Sequence, residues 1–125
     1  MALPQKYRLR SPRSFTQVYR QGQRASGSCV VAKALRVQTS GEGPLKPSPD
    51  VCFGVSISRK VHKRAVVRNR IKRQIHGALM SLLPRLRGHY WVVINVRRAA
   101  VTCEYYDLLR ELESLLVKLE VLDGH

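Results

Sequence analysis

A chain of 125 residues with 44% hydrophobic side chains holds enough apolar material for one modest core, so a single domain over 1–125 is expected rather than a disordered tail. Twenty-three Lys and Arg against eight Asp and Glu leave a formal charge of +15, an excess that resists compaction until a polyanion neutralises it, and nucleic acid is the leading partner class. Three widely spaced cysteines, Cys29, Cys52 and Cys103, argue against a disulfide framework or a zinc ribbon, and no apolar run approaches the roughly 20 residues of a membrane span. A soluble, cytoplasmic chain with reduced, buried thiols and no membrane partner is expected.

In chain order, Ser11-Pro12 opens a first helix, with Ser able to cap free N–H groups and Pro suited to the first helical position, and Gly22 closes it. Phe15, Val18 and Tyr19 share one face of that helix. Cys29 to Val37 reads as a strand, and the Gly- and Pro-rich stretch Gln38 to Asp50 as a long connection or hairpin loop with no assigned function. From Val51 to Ser58 bulky and small residues alternate strictly, giving a strand with Val51, Phe53, Val55 and Ile57 on one side. Apolar residues from Val67 to Leu82 recur every three or four positions, which predicts an amphipathic helix over Ala65 to Leu83 ended by Pro84. His89 to Val96 is a nearly continuous apolar run, as a central strand buried on both faces requires. Thr102 then opens a Leu-rich last helix with Glu104 and Asp107 at its positive end. The order helix, strand, strand, helix, strand, helix is that of an α+β sandwich in which helices pack on a small sheet.

Charge is segregated along the chain. Up to Cys103 there are 21 basic residues and 2 acids; beyond it there are 2 basic residues and 6 acids. Between Arg59 and Arg73 eight cations (Arg59, Lys60, Lys63, Arg64, Arg68, Arg70, Lys72 and Arg73) stand in fifteen residues with no acid among them. A helix face of mixed sign is commonly a solvated surface, whereas a wholly positive, Arg-rich one suits phosphates, because each guanidinium fork can contact two phosphate oxygens and release counterions. An anionic membrane or calmodulin would also suit a basic amphipathic helix, but flanking strands favour a core-facing stripe, and RNA or DNA ranks first.

The segment Phe53-Gly54-Val55-Ser56-Ile57-Ser58-Arg59-Lys60-Val61, followed by Arg64-Ala65-Val66-Val67-Arg68-Asn69-Arg70-Ile71-Lys72-Arg73, resembles the signature of the protein component of bacterial ribonuclease P. The likeness extends to Arg8-Leu9, Phe15, Val18, Tyr19 and Gly22, to the apolar strand before Arg97, and to Ala100, Tyr106, Leu109 and the Leu-rich helix. It implies the accessory subunit of a ribonucleoprotein endonuclease that removes the 5′ leader from precursor tRNA. In such an enzyme the RNA subunit carries the catalytic Mg²⁺, and the protein supplies neither catalytic residues nor a metal site of its own. It further implies that Lys60, Arg64, Arg68, Asn69, Arg70, Lys72 and Arg73 dock on the catalytic RNA, and that Phe15, Tyr19 and Lys33 meet the single-stranded leader. The implied partners are that RNA and precursor tRNA, with no protein partner. The implied fold is an α/β sandwich with a small central sheet, three helices and a left-handed β-α-β crossover, like domain 2 of ribosomal protein S5.

The residues themselves are compatible with those roles, since unpaired bases stack on aromatic rings at roughly 1–3 kcal/mol each and a cationic groove follows the backbone. Taken alone, an aromatic pair spaced like Phe15 and Tyr19 more often faces the core; the resemblance is what favours the leader. This sequence departs from the family pattern at Lys33, where an aromatic residue is frequent, at His76, where Arg is frequent, and at Val61-His62, which lacks a common glycine. A structural RNA-binding protein such as a ribosomal protein is the alternative of a different class. A self-sufficient nuclease would need clustered carboxylates or a His with an acidic partner, and the sequence offers neither in an evident place.

Overall fold

Helix α1 (Pro12–Gln21) opens on the Ser11-Pro12 pair, in a computed structural model that describes residues 3–37 and 50–123. Ser11 has the extended backbone of a cap residue, but its hydroxyl makes no capping bond, so Pro12 alone marks the start. The chain continues through β1 (Gln23–Ser26), β2 (Val30–Arg36), β3 (Asp50–Ser56), α2 (Ala65–Leu82), β4 (His89–Val96) and α3 (Tyr105–Lys118). Short 3₁₀ segments occupy Gln5–Tyr7, Leu83–Arg85 and Arg98–Thr102. The Gln38 to Asp50 connection lies, apart from Asp50, outside the described residues.

Four strands form one mixed sheet in the order β1-β2-β4-β3. The β1 strand is absent from the sequence expectation, because Gln23-Arg24-Ala25-Ser26 buries only Ala25 and has no apolar alternation; its pairing with β2 creates it. Neighbours β3 and β4 run parallel with α2 between them in sequence, and β2 runs antiparallel to both β1 and β4. As its apolar run requires, β4 is central, with Val92, Val93 and Ile94 all fully buried, each side chain stabilising the fold by about 1.5–3 kcal/mol.

Helices α2 and α3 cover one face of the sheet. Ile71, Ile75 and Leu79 of α2 meet Leu108, Leu112 and Leu116 of α3 over Ala32, Phe53, Val92 and Ile94. Helix α1 covers part of the other face, where Leu9, Val18 and Val93 form a second, smaller cluster with Phe15, Leu35, Cys52 and Trp91. The alternation in β3 explains the division. Its bulky side feeds the larger core, and its small side leaves room at Gly54 for the Phe15 ring, which any Cβ there would overlap.

Two expectations are corrected at the last helix. Thr102 belongs to a 3₁₀ segment and caps nothing in α3; Glu104 is the cap, in a reciprocal box where Asp107 accepts the Glu104 N–H at 3.0 Å. The cysteines are not three reduced thiols either. Cys29 and Cys103, 74 residues apart, are joined by a disulfide, because pairing of Val30 with Val96 brings the start of β2 beside the turn that follows β4. Sequence spacing carries no trace of such a contact.

Five of the six acids of the C-terminal segment are engaged within the chain, Glu104 and Asp107 in the cap of α3. Glu111 accepts the backbone N–H groups of Ser28, Cys29 and Val30 at 3.1, 2.8 and 2.7 Å. Glu113 pairs with Arg85 and Asp123 with Arg87. Those are the ion pairs among the described residues, and neither uses a cation between Arg59 and Arg73.

Candidate nucleic-acid interface

The backbone leading into α2 is tied from several sides, which turns its cationic side chains outward. Ser58 holds the N–H groups of Lys60 and Val61 through its hydroxyl and carbonyl, and His62 Nδ1 accepts the Arg64 N–H at 3.1 Å. Arg68 turns back so that Nη1 donates to the carbonyls of His62 and Lys63 at 2.9 and 2.8 Å. From the other side, Arg98 Nε donates to the Lys60 carbonyl at 2.9 Å. Lys60, Lys63 and Arg64 remain exposed on this frame. His62 therefore supplies a ring nitrogen as the acceptor for the backbone entering α2.

Along α2 the predicted RNA residues separate onto two sides. Arg70 leans toward the segment before α3, where Nη2 donates to the Val101 carbonyl at 2.9 Å. Asn69, Lys72 and Arg73, together with Val66 and His76, instead form one wall of a groove of about 880 Å³. Val66, Asn69, Arg73 and His76 are spaced to lie on one helix face. The floor is the edge strand from Phe53 to Val55, and the opposite wall is Arg8, Leu9 and Phe15. Leu9 donates its N–H to the Phe53 carbonyl at 2.8 Å and so fixes that wall to β3.

Phe15 thus answers both sequence readings at once: its ring packs on Gly54 and also lines the groove. Tyr19, one turn on, is 41% exposed and donates its hydroxyl to Asn95 Oδ1 at 2.8 Å. Lys33 Nζ stands 5.0 Å from the centroid of the Tyr19 ring, a cation–π contact that joins β2 to the same patch. Arg8, Val66, Asn95 and Arg98 were not singled out as site residues from the sequence. Only the match at Arg8-Leu9 gave a signal, since the others depend on what the fold sets beside them.

His76 sits at the inner end of the groove, 9% exposed. Burial holds its imidazole below the ordinary value of 6.5, and the charges of Lys72 and Arg8 add to the effect. A histidine with a lowered folded value binds fewer protons than the unfolded chain as pH falls through about 6.5, so this group lowers stability across that window. Thermal unfolding followed from neutral pH downward is expected to show a falling midpoint whose slope His76→Gln reduces; an equal slope in both proteins would discount the group.

Among the described residues no group of three or more His, Cys, Asp and Glu is placed to hold a metal ion. The groove offers guanidinium, ammonium, amide and imidazole groups and no carboxylate, a set that repels a hard dication and attracts phosphate. Among those residues, too, no helix is long and apolar enough to cross a membrane.

An α+β sandwich with a cationic groove, whose cations form no ion pair among the described residues and which an aromatic ring edges, defines a nucleic-acid-binding protein. The model of the ribonuclease P family matches residues 3–120. The ribonuclease P protein component of Rippkaea orientalis is 44% identical over 127 residues, spanning all of this chain and 95% of that protein. That of Microcystis aeruginosa is 42% identical over 125 residues, spanning all of both. Among solved structures, the ribonuclease P protein of Staphylococcus aureus superposes with a TM-score of 0.75 at 20% identity, covering 94% of this chain and 98% of that one. The Thermotoga maritima protein gives 0.69 at 18%, with the same coverage. The chain belongs to the ribonuclease P protein family.

Proposed function

We propose that this chain acts as the accessory subunit of a cytoplasmic ribonucleoprotein that removes the 5′ leader from precursor tRNA, with hydrolysis performed by Mg²⁺ held mainly on the RNA subunit. The observation that carries the proposal is the shared groove. Asn69, Lys72 and Arg73 on α2 face Phe15 on α1 across the edge of β3, so an RNA backbone on one wall lies beside an unpaired base on the other. The exposed cations Lys60 and Arg64 extend the docking face at the α2 entry, Arg68 frames it, and Arg70 braces α2 against the segment before α3. Phe15 and Tyr19 offer stacking surfaces, and Lys33 offers a charge beside them. The chain's part is to bind and orient. Its cations replace counterions around the paired RNAs, which reduces the Mg²⁺ needed to bring the phosphates together.

Reconstitution with a ribonuclease P RNA at low Mg²⁺ is the test. Leader removal should rise when the protein is added, and the protein alone should leave precursor tRNA intact. No gain in cleavage, with binding to ribosomal RNA instead, would favour a purely structural RNA-binding role. Within the complex, Lys72→Ala should reduce the slope of log affinity for the RNA subunit against log salt by about one unit for one lost phosphate contact. An unchanged slope would remove Lys72 from that interface.

A further inference from the structure

The Cys29–Cys103 disulfide lies away from the groove, yet one of its cysteines ends the segment that braces the cationic entry of α2. The 3₁₀ segment Arg98–Thr102, just before Cys103, is clasped to α2 and its entry by two bonds. Arg98 Nε donates to the Lys60 carbonyl, and Arg70 Nη2 donates to the Val101 carbonyl, both at 2.9 Å. Ala100 supplies the segment's fully buried side chain, and Val101 adds a partly buried one. A segment with so few apolar contacts opens at low free energy unless its ends are held. At one end the Arg97 N–H meets the Cys29 carbonyl at 2.7 Å, and at the other the disulfide joins Cys103 to the same residue. Cys29 is a firm anchor, since Glu111 accepts its N–H and those of both its neighbours. Without the disulfide, the far end of the segment would be tied only through its continuation into α3.

We propose that this disulfide is a redox switch on docking of the RNA subunit. Oxidised, it holds the Arg98–Thr102 segment to the turn at Cys29 and, through the clasp, steadies the entry of α2; reduced, it frees the segment and weakens docking. This rests on the reading of Lys60, Arg64 and Arg70 as docking residues in a cytoplasmic ribonucleoprotein. A reducing compartment keeps cysteine pairs as thiols, and the disulfides that do form there are usually transient and redox-sensing. Both cysteines line a hollow of about 510 Å³ between the β1–β2 turn and α3, and Cys103 is the less buried of the two. A dithiol reductant therefore meets Cys103 first. Its thiolate attacks Cys103 Sγ, the bond between the two protein sulfurs breaks, and Cys29 Sγ leaves with the electron pair and takes a proton. The second thiol of the reductant then attacks the reductant's own sulfur in the mixed disulfide and releases Cys103, which is protonated in turn. Two electrons and two protons pass from the dithiol to the protein, and an oxidant that accepts the same two electrons and two protons re-forms the bond.

The test measures affinity of the full chain for a ribonuclease P RNA after treatment with diamide or with dithiothreitol, while alkylation and mass spectrometry count the free thiols. The oxidised protein should present Cys52 as its single free thiol, and the reduced protein all three cysteines. Reduction should weaken RNA binding roughly 3- to 10-fold, the scale of one or two bracing hydrogen bonds, with circular dichroism showing a chain that stays folded. Cys29→Ser and Cys103→Ser should each bind as the reduced protein does after either treatment. Equal binding by the two redox forms overturns the proposal, as do three free thiols after diamide. A redox response that persists in Cys103→Ser overturns it too, because the response then arises elsewhere. So does a reduced protein that unfolds, since the bond is then a staple of the whole fold and not a switch on one segment. If neither form binds the RNA, the docking reading itself fails, an outcome distinct from two forms that bind equally well.

Discussion

Replacing Glu111 with alanine is expected to lower stability by about 2–4 kcal/mol, because one carboxylate satisfies three successive backbone donors. Oε1 takes the Ser28 N–H, and Oε2 takes those of Cys29 and Val30. Consecutive N–H groups on a turn make a concave, positive pocket for an anion, and here the anion belongs to α3. Gly27 is part of the fit, since a Cβ at that position would overlap the carboxylate. Removing the side chain leaves partly buried donors that water reaches only on the Ser28 side. It also releases the β1–β2 turn from α3, which loosens those strands. Urea or thermal unfolding gives the measurement, and Glu111→Gln should recover part of the loss by keeping one acceptor oxygen. A drop below about 1 kcal/mol for the alanine variant would mean that water replaces the carboxylate and that the turn needs no anchor.

Gly54→Val should separate the two roles of Phe15. Valine suits a strand, so the backbone tolerates it, but the side chain enters the space that the Phe15 ring fills. Overpacking of this kind destabilises by about 1–3 kcal/mol, and the displaced ring forfeits a stacking contact of similar size with an unpaired base. Affinity for precursor tRNA should therefore fall roughly 5- to 100-fold while mature tRNA is little affected. Adding Phe15→Ala to Gly54→Val should restore some stability, since the overlap is gone, but no leader affinity. If both variants bind precursor tRNA as the parent does, Phe15 is a core residue and nothing more.

Much of the fold was legible in the sequence wherever one face of an element had to be apolar. The 3.6-residue period of α2, the alternation of β3 and the unbroken apolar run of β4 each fixed an element to within a residue or two, since burial of one face is a local pattern. The excess of cations pointed to nucleic acid, and the family signature, read in its strand-to-helix setting, identified the family and with it an RNA partner. The caps were less legible. Ser11 and Thr102 have suitable side chains, but neither makes the bond, and Glu104 does so through a box with Asp107 that the chain entering α3 permits.

Tertiary structure alone decided the rest, because it depends on pairs far apart in the chain. Pairing with β2 turns the polar segment Gln23–Ser26 into a strand, and the antiparallel pairing of β2 with β4 brings Cys29 to Cys103. Segregated charge in the sequence left the acidic C-terminal segment without an explanation. In the fold five of those six acids cap α3, anchor a turn and pair with Arg85 and Arg87, and among the described residues no ion pair reaches the cations of α2. The sequence thus determined that a cation-rich helix exists. Only packing decided that Asn69, Lys72 and Arg73 would share a groove with Phe15 while Arg68 and Arg70 brace the backbone. The reason is physical: helix periodicity sets where each side chain points, but the neighbouring layer sets what it meets.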